Sequence, residues 1–283
     1  MDIVKRLKVA APAKINLTLE VLDKRDDGFH NIKSVMQAID LYDYLTFEVR
    51  NSNKTSIVLQ GNSDKIPYDE RTLVYKAAKL FLDELGNNAQ INIYIEKNIP
   101  IEAGLAGGST DAAATFFALN EMFSKPFSLT DIDFLCAKLG SDLNFCLHGG
   151  TAICTGRGEK IEKIATPDLD ISLIKPLGFG ISAKEAYTKF SQLPLDKKTV
   201  LNCTEQIKKH FDKKYLFNSL ELAVINDYAE LKEIKSKLPN SIMSGSGPTF
   251  FVLSDSIPDC FDKSKFQIIP HLHSICDGIK IVD

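Results

Sequence analysis

Small side chains crowd the segment from Pro100 to Ala112, which reads PIEAGLAGGSTDA. Residues this small let successive backbone N–H groups point at one anion, and a helix that begins at the end of the segment adds a dipole that favours phosphate. The segment therefore predicts a phosphate-binding loop. It is not a Walker loop, since no Gly-Lys-Ser/Thr follows, and its glycine spacing differs from the dinucleotide fingerprint. A flexible connection between a strand and a helix is the alternative that these residues leave open.

Two other segments add to this pattern. Residues 244–250 read SGSGPTF, a second small-residue loop that runs into a strand. Residues 11–17 read APAKINL and place a lysine and an asparagine, Lys14 and Asn16, early on an otherwise apolar strand. Each segment is a weak signal when it is taken alone.

Hydrophobic periodicity predicts the elements that must position these residues. Apolar and polar residues alternate from Ile15 to Val21, which indicates a strand over residues 8–22. Further strands are predicted over residues 44–49, 55–59, 91–95, 171–175 and 249–253. Helices are predicted over residues 73–85, after Thr110, over 129–139 with Thr130-Asp131 as capping residues, after Asp142, from Ser182 and near 220–238. Residues 149–164 are predicted to form a hairpin that turns at Gly156-Arg157-Gly158.

Strands and helices do not alternate regularly along the chain, so the predicted fold class is α+β rather than a doubly wound parallel sheet. The pattern restarts after Thr166-Pro167. We therefore expect a domain boundary near Ala165, which gives two domains over residues 1–165 and 166–283.

Composition excludes several classes of protein. The chain has 283 residues, of which 44% are hydrophobic and 25% charged, with a net charge of −3. This balance argues against binding to nucleic acid or to an anionic membrane surface. The six cysteines are scattered, with no C-x-x-C pair, and no apolar run approaches the ~18 residues that span a bilayer. We expect reduced, mostly buried thiols and a cytoplasmic protein.

The three glycine and lysine segments, in this order and at these separations, resemble the three motifs of the GHMP kinases, a superfamily of small-molecule kinases named for galactose, homoserine, mevalonate and phosphomevalonate. The resemblance implies a two-domain GHMP kinase fold. Residues 1–165 would form an N-terminal nucleotide-binding α/β domain with the glycine-rich phosphate loop. Residues 166–283 would form a C-terminal ferredoxin-like α+β domain.

Narrower features resemble one branch of that superfamily, which acts on a cytidine-diphosphate-linked methylerythritol in the non-mevalonate isoprenoid pathway. They are Ala13-Lys14-Ile15-Asn16-Leu17, Asp27-Gly28-Phe29-His30, Gly140-Ser141-Asp142 and Gly156-Arg157-Gly158-Glu159. The resemblance runs from about Val9 to Phe251. It implies transfer of the γ-phosphoryl group of ATP to the 2-hydroxyl of that substrate, with Mg²⁺ assisting.

The resemblance also implies roles for a carboxylate and a lysine. Asp142 is the catalytic base that takes the hydroxyl proton, and Lys14 lies near it and near the transferring phosphoryl group. A cation within ~4–6 Å keeps a carboxylate ionised and offsets charge on the phosphoryl oxygens. The residue pattern alone favours plainer interpretations, a helix N-cap for Asp142 and an exposed strand position for Lys14.

Ligand contacts are implied in the same way. On the acceptor side His30 hydrogen-bonds the cytosine edge, Tyr187 stacks on the base and Asn16 contacts the sugar or cytosine region. A surface histidine and a core tyrosine are the alternatives for the first two. The loop Gly245, Ser246 and Gly247 adds further substrate contacts. The expected nucleotide contacts are Pro100, Ala103, Gly104, Leu105, Ala106, Gly107, Gly108, Ser109 and Thr110. No metal ligands are predicted, since nucleotide phosphates largely hold the magnesium in such kinases.

The sequence departs from the common pattern of this branch at four positions. Phe29 stands where tyrosine is frequent, so a hydroxyl contact is missing while ring packing remains. Ala106 replaces a frequent glycine, which is tolerable only if its φ stays negative. Thr110 stands for serine and keeps a hydroxyl for phosphate or magnesium. Thr72 occupies a position where asparagine often contacts the nucleotide.

Two other functions remain open from the sequence. One is a different GHMP small-molecule kinase, of the homoserine or mevalonate type. The other is a non-catalytic module that binds a nucleotide or RNA, because a fold does not fix a function. The turn at His30 argues against the first, and Asp142 with Lys14 argues against the second. We expect only small-molecule partners, with no nucleic acid, no membrane and no obligate protein partner.

Overall fold

Two β-sheets carry the fold of the computed structural model, which describes residues 5–194 and 201–282. In that part of the chain the larger sheet contains eight strands. They are β1 (Lys5–Lys24), β2 (His30–Asn51), β3 (Ser56–Gly61), β4 (Ala89–Glu96), β5 (Thr151–Gly156), β6 (Lys160–Ile164), β8 (Phe217–Asn218) and β12 (Lys280–Ile281). The main order is β12–β1–β2–β4–β3, β5 and β6 extend it from β2, and β8 pairs with β1.

Four helices pack against this sheet. They are α1 (Leu73–Leu85), α2 (Gly107–Met122), α3 (Leu129–Leu139) and α4 (Leu143–His148). Their apolar residues share one buried cluster with β1, β2 and β4, in which Phe47, Phe81 and Phe116 are fully buried. The glycine loop therefore lies between a central strand, β4, and a firmly packed helix, α2.

The smaller sheet has four antiparallel strands among the described residues. They are β7 (Asp170–Pro176), β9 (Ile242–Met243), β10 (Phe250–Val252) and β11 (Phe266–His273). Their spatial order is β11–β7–β10–β9, which is the fourth, first, third and second strand and hence a ferredoxin-like order. Four α-helices of the described residues lie between β7 and β9 in the chain, whereas turns connect β10 to β11. These helices are α5 (Ala183–Gln192), α6 (Cys203–Lys209), α7 (Ser219–Val224) and α8 (Ala229–Lys237).

β1 is buried on both faces, which removes its polar residues from bulk water. Ile15 and Leu17 pack in a cluster that includes residues of the smaller sheet. On the other face the Glu20 carboxylate accepts hydrogen bonds from the backbone N–H groups of Cys203 (3.0 Å) and Thr204 (3.1 Å). Buried polar groups need such partners. The polar face of β1 is therefore an ordered network and not a solvated surface.

Most predicted elements are present. The helices over residues 73–85 and 129–139 and the hairpin that turns at Gly156-Arg157-Gly158 are confirmed. β2 is longer than the predicted 44–49, because its first half pairs with both β1 and β5 and shows no clean alternation of burial. The single helix predicted near residues 220–238 is wrong, since α7 and α8 are separate.

The N-cap of α3 is also corrected. Ser128, and not Thr130, caps the helix: its hydroxyl accepts a hydrogen bond from the backbone N–H of Asp131, whose carboxylate accepts one from the backbone N–H of Ser128. This is a capping box shifted by two residues from the predicted cap.

The α+β GHMP kinase type of fold is confirmed, while the boundary near Ala165 stays a prediction. β8 and β12, which follow that position in the chain, pair with β1 in the larger sheet. All six cysteines are free thiols, and four of them are buried. In the ranges 5–194 and 201–282, the helices fall short of the length and apolarity that crossing a membrane requires.

Candidate active site

A cavity of about 1080 Å³ lies where the glycine loop, β1, the loop before α4 and the helix α5 meet. Most of the predicted site residues line it. They are Lys14, Asn16, His30, Pro100, Ala103, Gly104, Ala106, Gly107, Gly108, Ser109, Asp142, Tyr187, Gly245 and Ser246. Residues from distant parts of the sequence therefore share one cavity.

Three predicted site residues do not line the cavity. Leu105 is buried in the apolar cluster beneath the loop. Thr110 is fully buried, its backbone N–H donates to the Ala106 carbonyl at 2.9 Å, and its hydroxyl has no hydrogen-bond partner among the described residues, so its contact with a phosphate or with Mg²⁺ stays a prediction. The N–H of Gly247 closes a turn on the carbonyl of Ser244 at 2.9 Å.

Lys14 and Asp142 converge at one end of the cavity. Lys14 Nζ lies 3.5 Å from Asp142 Oδ2, with side-chain exposures of 4% and 30%. Asp142 occupies the N-cap position of α4, yet its side chain makes no capping hydrogen bond. Of the plainer interpretations, an exposed Lys14 is excluded and a capping Asp142 side chain is absent. The carboxylate is left to face the ammonium and the cavity.

Neighbouring groups fix the Lys14 ammonium in place. It donates to Asn16 Oδ1 at 2.7 Å and to the Gly104 carbonyl at 3.1 Å. Asn16 in turn donates through Nδ2 to Ser34 Oγ at 2.8 Å. Asn16 therefore orients the lysine, whereas its predicted contact with substrate stays a prediction.

The two small-residue loops touch each other beside this lysine. Gly104 has φ +72°, and a Cβ there would overlap the carbonyl oxygen of Ser244. Gly245 has φ +55°, and its Cβ would lie 2.9 Å from the Gly104 carbonyl oxygen and 3.2 Å from Lys14 Nζ. Backbone meets backbone here, so both positions require glycine. We call Lys14, Asn16, Gly104, Asp142 and Gly245 the transfer end of the cavity.

The glycine loop enters α2 through a left-handed residue. Ala106 is the N-cap of α2, with φ 59° and ψ 26°. The expectation of a negative φ at this position is wrong. A left-handed alanine costs roughly 1–2 kcal/mol, and the packing around it holds the conformation. Gly107, Gly108 and Ser109 follow as the first turn of the helix, where backbone N–H groups have no intrahelical acceptor.

A buried ion cluster supports this loop from below, and the sequence prediction missed it. Lys97 Nζ forms ion pairs with Asp43 Oδ2 and, at 2.8 Å, with Asp111 Oδ2. Asp43 Oδ1 also accepts hydrogen bonds from the backbone N–H groups of Asn98 (2.7 Å) and Ile99 (2.9 Å). All three charged side chains are at most 6% exposed.

Two carboxylates share one ammonium in this cluster. Burial, opposed by Lys97 and reinforced by the nearby Asp43, raises the pKa of Asp111 to about 8. The two carboxylates raise the pKa of Lys97 against the effect of its own burial. Asp111 Oδ1 has no hydrogen-bond partner among the described residues, although Asp111 lines the cavity. One buried carboxylate oxygen of this cavity-lining residue is thus left without a protein partner in the described part of the chain.

Aromatic side chains form the other end of the cavity. The rings of His30 and Tyr187 stack with centroids 5.2 Å apart and an interplanar angle of 19°. Burial, with a contribution from the Asp142 charge, raises the pKa of the Tyr187 phenol. The ring of Phe29 is 50% exposed. We call Phe29, His30 and Tyr187 the base end, because flat rings of this kind bind a nucleobase.

Thr72 lines the cavity on the far side of the glycine loop. Its hydroxyl caps α1, accepting from the Tyr75 N–H at 3.3 Å and donating to the Asp69 carbonyl at 2.9 Å. Both hydrogen bonds of the hydroxyl are made within the cap of α1, so Thr72 stabilises the start of this helix.

Comparison with known families identifies residues 72–150 with the model of the GHMP kinases N terminal domain. A 4-diphosphocytidyl-2-C-methyl-D-erythritol kinase of Clostridium tetani (strain Massachusetts / E88) is 40% identical over 277 residues, which cover 92% of this chain and 96% of that protein. A 4-diphosphocytidyl-2-C-methyl-D-erythritol kinase of Bacillus pumilus (strain SAFR-032) is 38% identical over 286 residues, which cover 98% of this chain and 96% of that protein.

Solved structures agree with this relationship. A 4-(cytidine 5'-diphospho)-2C-methyl-D-erythritol kinase has a TM-score of 0.73 at 29% identity, covering 88% of this chain and 90% of that one. A homoserine kinase from Cytophaga hutchinsonii has a TM-score of 0.75 at 18% identity, covering 98% and 97%. The second likeness concerns the fold alone, so sequence and not shape separates the two activities.

Proposed function

Since the chain belongs to the 4-diphosphocytidyl-2-C-methyl-D-erythritol kinases, within the GHMP kinases, we propose how its cavity carries out the reaction. The γ-phosphoryl group of ATP passes to the 2-hydroxyl of 4-diphosphocytidyl-2-C-methyl-D-erythritol and gives the 2-phosphate and ADP, a step of the non-mevalonate isoprenoid pathway. The transfer end performs the chemistry, and the base end holds the cytidine.

Asp142 is the proposed base. The acceptor hydroxyl lies between this carboxylate and the γ-phosphorus and gives its proton to the carboxylate as the new O–P bond forms. The bond between the γ-phosphorus and the β,γ-bridging oxygen breaks, and ADP leaves with that oxygen. Phosphoryl transfer depends mostly on position and charge, and Asp142 is well placed because its side chain makes no capping bond.

Lys14 supplies the charge beside that step. Its ammonium lies 3.5 Å from the carboxylate that accepts the proton. The same ammonium offsets negative charge that develops on the phosphoryl oxygens. Hydrogen bonds to Asn16 and Gly104 hold it in place before substrate binds, so little reorganisation is needed during transfer.

The nucleotide phosphates lie on the glycine loop and the first turn of α2. Gly107, Gly108 and Ser109 line the cavity at this helix N-terminus, where free N–H groups and the helix dipole favour an anion. The opposite side of the loop is blocked by the contact between Gly104 and Gly245. The γ-phosphate is thereby directed toward Lys14 and Asp142.

Mg²⁺ is the proposed metal ion, and the residues present fit it. No group of three or more His, Cys, Asp or Glu side chains in the described part of the chain is arranged to hold a metal by itself. Asp111 does offer a buried carboxylate oxygen without a protein partner. Asp111 and the Ser109 hydroxyl would hold the ion together with nucleotide phosphates, since Mg²⁺ prefers oxygen ligands. When bound, Mg²⁺ neutralises phosphate charge.

The base end binds the cytosine of the acceptor. A cytosine ring joins the stack of His30 and Tyr187, and stacking is worth ~1–3 kcal/mol per base. The imidazole of His30 and the hydroxyl of Ser191, 3.0 Å apart, offer polar groups to the base edge. We also propose a cytoplasmic location and small-molecule ligands only, which the free cysteines and the net charge of −3 support.

One observation carries this proposal, the approach of Lys14 to Asp142 beside the glycine loop. It is tested by coupled ADP release with the diphosphocytidyl substrate, and with homoserine and mevalonate as competing acceptors. Wild type is expected to release ADP with the first acceptor only. Asp142→Asn is expected to lower kcat by about 10²–10⁴-fold, with Asp259→Asn, at an 81% exposed carboxylate, as the matched control.

The outcomes separate the parts of the proposal. If wild type uses homoserine or mevalonate and not the diphosphocytidyl substrate, the acceptor is wrong. Near-wild-type turnover of Asp142→Asn would contradict the base assignment alone.

A further inference from the structure

The turn between β5 and β6 places one residue, Arg157, on the cavity wall and has no role in the proposed reaction. It is built by its own residues: the Arg157 backbone N–H donates to Glu159 Oε2 at 2.6 Å. A Cβ on Gly156 would lie 2.8 Å from the Glu159 carboxylate, and Gly158 has φ +120°. Both glycines are therefore needed for this turn. The turn thereby holds an arginine, Arg157, at a fixed place on the cavity wall.

The Arg157 side chain is positioned by two contacts. Its Nη2 donates to the Ala137 carbonyl at 3.2 Å, near the end of α3. Its Cζ lies 5.0 Å from the centre of the Phe29 ring, a cation–π distance. A guanidinium carries five N–H donors, and no carboxylate of the described residues forms an ion pair with it. Most of its donors remain for a ligand.

The turn that carries this arginine contacts residues next to both ends of the cavity. On one side it contacts Phe29 of the base end. On the other side Gly158 packs against Ser141, the residue before Asp142, with a Cβ built on it 3.5 Å from Ser141 Cβ. The pairing of Ile32 with Gly156 fixes the turn relative to the base end, because β2 begins at His30.

The groups of the substrate follow the same order as the parts of the cavity. Its diphosphate joins the cytidine to the methylerythritol, so with the cytidine at the base end and the methylerythritol at the transfer end the diphosphate lies along the wall that carries Arg157. The geometry points to Arg157 as the residue that binds the diphosphate of the diphosphocytidyl substrate, an inference that rests on the proposed function. A planar guanidinium held against an aromatic ring suits paired hydrogen bonds to phosphate oxygens.

The other buried cations of the cavity are already engaged. Lys14 is bound by Asn16, Gly104 and Asp142. Lys97 is enclosed by its two carboxylates. Arg157, by contrast, is half-buried on the cavity wall and has no carboxylate of the described residues within ion-pair distance.

Isothermal titration with cytidine and with CDP tests this inference. A non-hydrolysable ATP analogue with Mg²⁺ is kept at saturation, so that CDP cannot occupy the nucleotide site. In wild type CDP is expected to bind more tightly than cytidine. In Arg157→Gln the affinity for CDP is expected to fall about 10- to 100-fold while cytidine binding is unchanged. Arg157→Lys is expected to recover part of the loss, since it keeps charge without the paired donors.

A matched control removes a charge from the same hairpin. Lys160 is exposed, begins β6 and does not line the cavity, so Lys160→Gln should leave both affinities unchanged. Equal losses for cytidine and CDP in Arg157→Gln would mean that Arg157 only supports Phe29 or α3, and would overturn the inference. Unchanged CDP binding would overturn it too. Wild type that binds neither probe would instead contradict the proposed substrate.

Discussion

The two ends of the cavity are built by different physical means. At the transfer end, backbone presses on backbone at Gly104 and Gly245, and Lys14 is 4% exposed with all its partners fixed. At the base end, His30 and Tyr187 are half-buried rings from opposite halves of the chain, and Phe29 is 50% exposed.

Because of this difference, the two ends of the cavity respond differently to substitutions. A buried polar network fails as a unit, because one missing partner leaves the others unsatisfied. Exposed rings contribute graded contact area, so a substitution weakens binding without unfolding the site. We therefore expect changes at the transfer end to affect stability and catalysis together, and changes at the base end to affect the affinity of one substrate.

The largest stability effect is expected below the glycine loop. Lys97→Met leaves Asp43 and Asp111 buried without their cation, which costs about 3–5 kcal/mol. Urea unfolding measures it, with Lys79→Met as the control, since the exposed Lys79–Asp83 pair is worth about 0.3–0.5 kcal/mol.

Titration gives this prediction a second test. Without Lys97 the pKa of Asp111, which burial already raises, lies further above its value in the unfolded chain, so the variant loses stability as pH rises. Its deficit relative to wild type should shrink as pH falls. Equal losses for the two lysine variants, or a deficit that grows toward low pH, would contradict a cluster that supports the loop.

A single type of substitution compares the two ends directly. Gly104 and Gly28 both have positive φ, +72° and +85°, but only Gly104 has backbone where a Cβ would go. Gly28→Ala should cost roughly 1–2 kcal/mol for its conformation alone. Gly104→Ala should cost about 1–3 kcal/mol more, because the backbones must also separate. Equal free energies of unfolding for the two variants would remove the structural contrast between the ends.

At the base end, Tyr187→Leu should raise KM for the diphosphocytidyl substrate about tenfold and leave KM for ATP unchanged. The loss of one stacking partner is worth ~1–3 kcal/mol. Steady-state kinetics with each substrate varied in turn measures it. Tyr228→Leu is the control, because Tyr228 stacks on Phe179 with centroids 4.9 Å apart and does not line the cavity. A matching rise in KM for ATP would show that the two ends are not independent.

The smallest effect is expected at Ala106. Ala106→Gly relieves a left-handed alanine but adds freedom to the unfolded chain, for a net gain of about 0.5–1 kcal/mol. Ala103→Gly, at a position without positive φ, should instead lower stability by a similar amount. Thermal unfolding of the two variants distinguishes them. A loss in both would mean that Ala106 carries no strain.

The sequence predicts local features of the site and misses those that depend on pairing. Small residues and strand alternation predicted the loop and the strand that carries Lys14, and helical periodicity predicted most of the helices, because each pattern lies in consecutive residues. The role of Lys14 followed from the family resemblance. Asp43 and Lys97 are 54 positions apart and meet only because Tyr44 pairs with Glu96 between β2 and β4. The one sequence signal for Lys97 is a basic residue three positions before Pro100.

The left-handed backbone conformation of Ala106 could not be predicted from the sequence either. Alanine carries no preference for positive φ, so only the close packing of the loop forces that conformation. The resemblance named His30 and Tyr187 separately. It did not predict that their rings stack on each other, because this contact requires the two halves of the chain to meet. The position of Arg157 required the register of β5 against β2.

The central claim is that Lys14 and Asp142 act as one unit on the transferring phosphoryl group. Single-turnover transfer at saturating ATP and diphosphocytidyl substrate tests it in Lys14→Met, Asp142→Asn and the double variant. Each single variant should slow transfer by about 10²–10⁴-fold, and the double variant should be little slower than the slower single one. Losses that multiply in the double variant, or a single variant that transfers at the wild-type rate, would contradict the account.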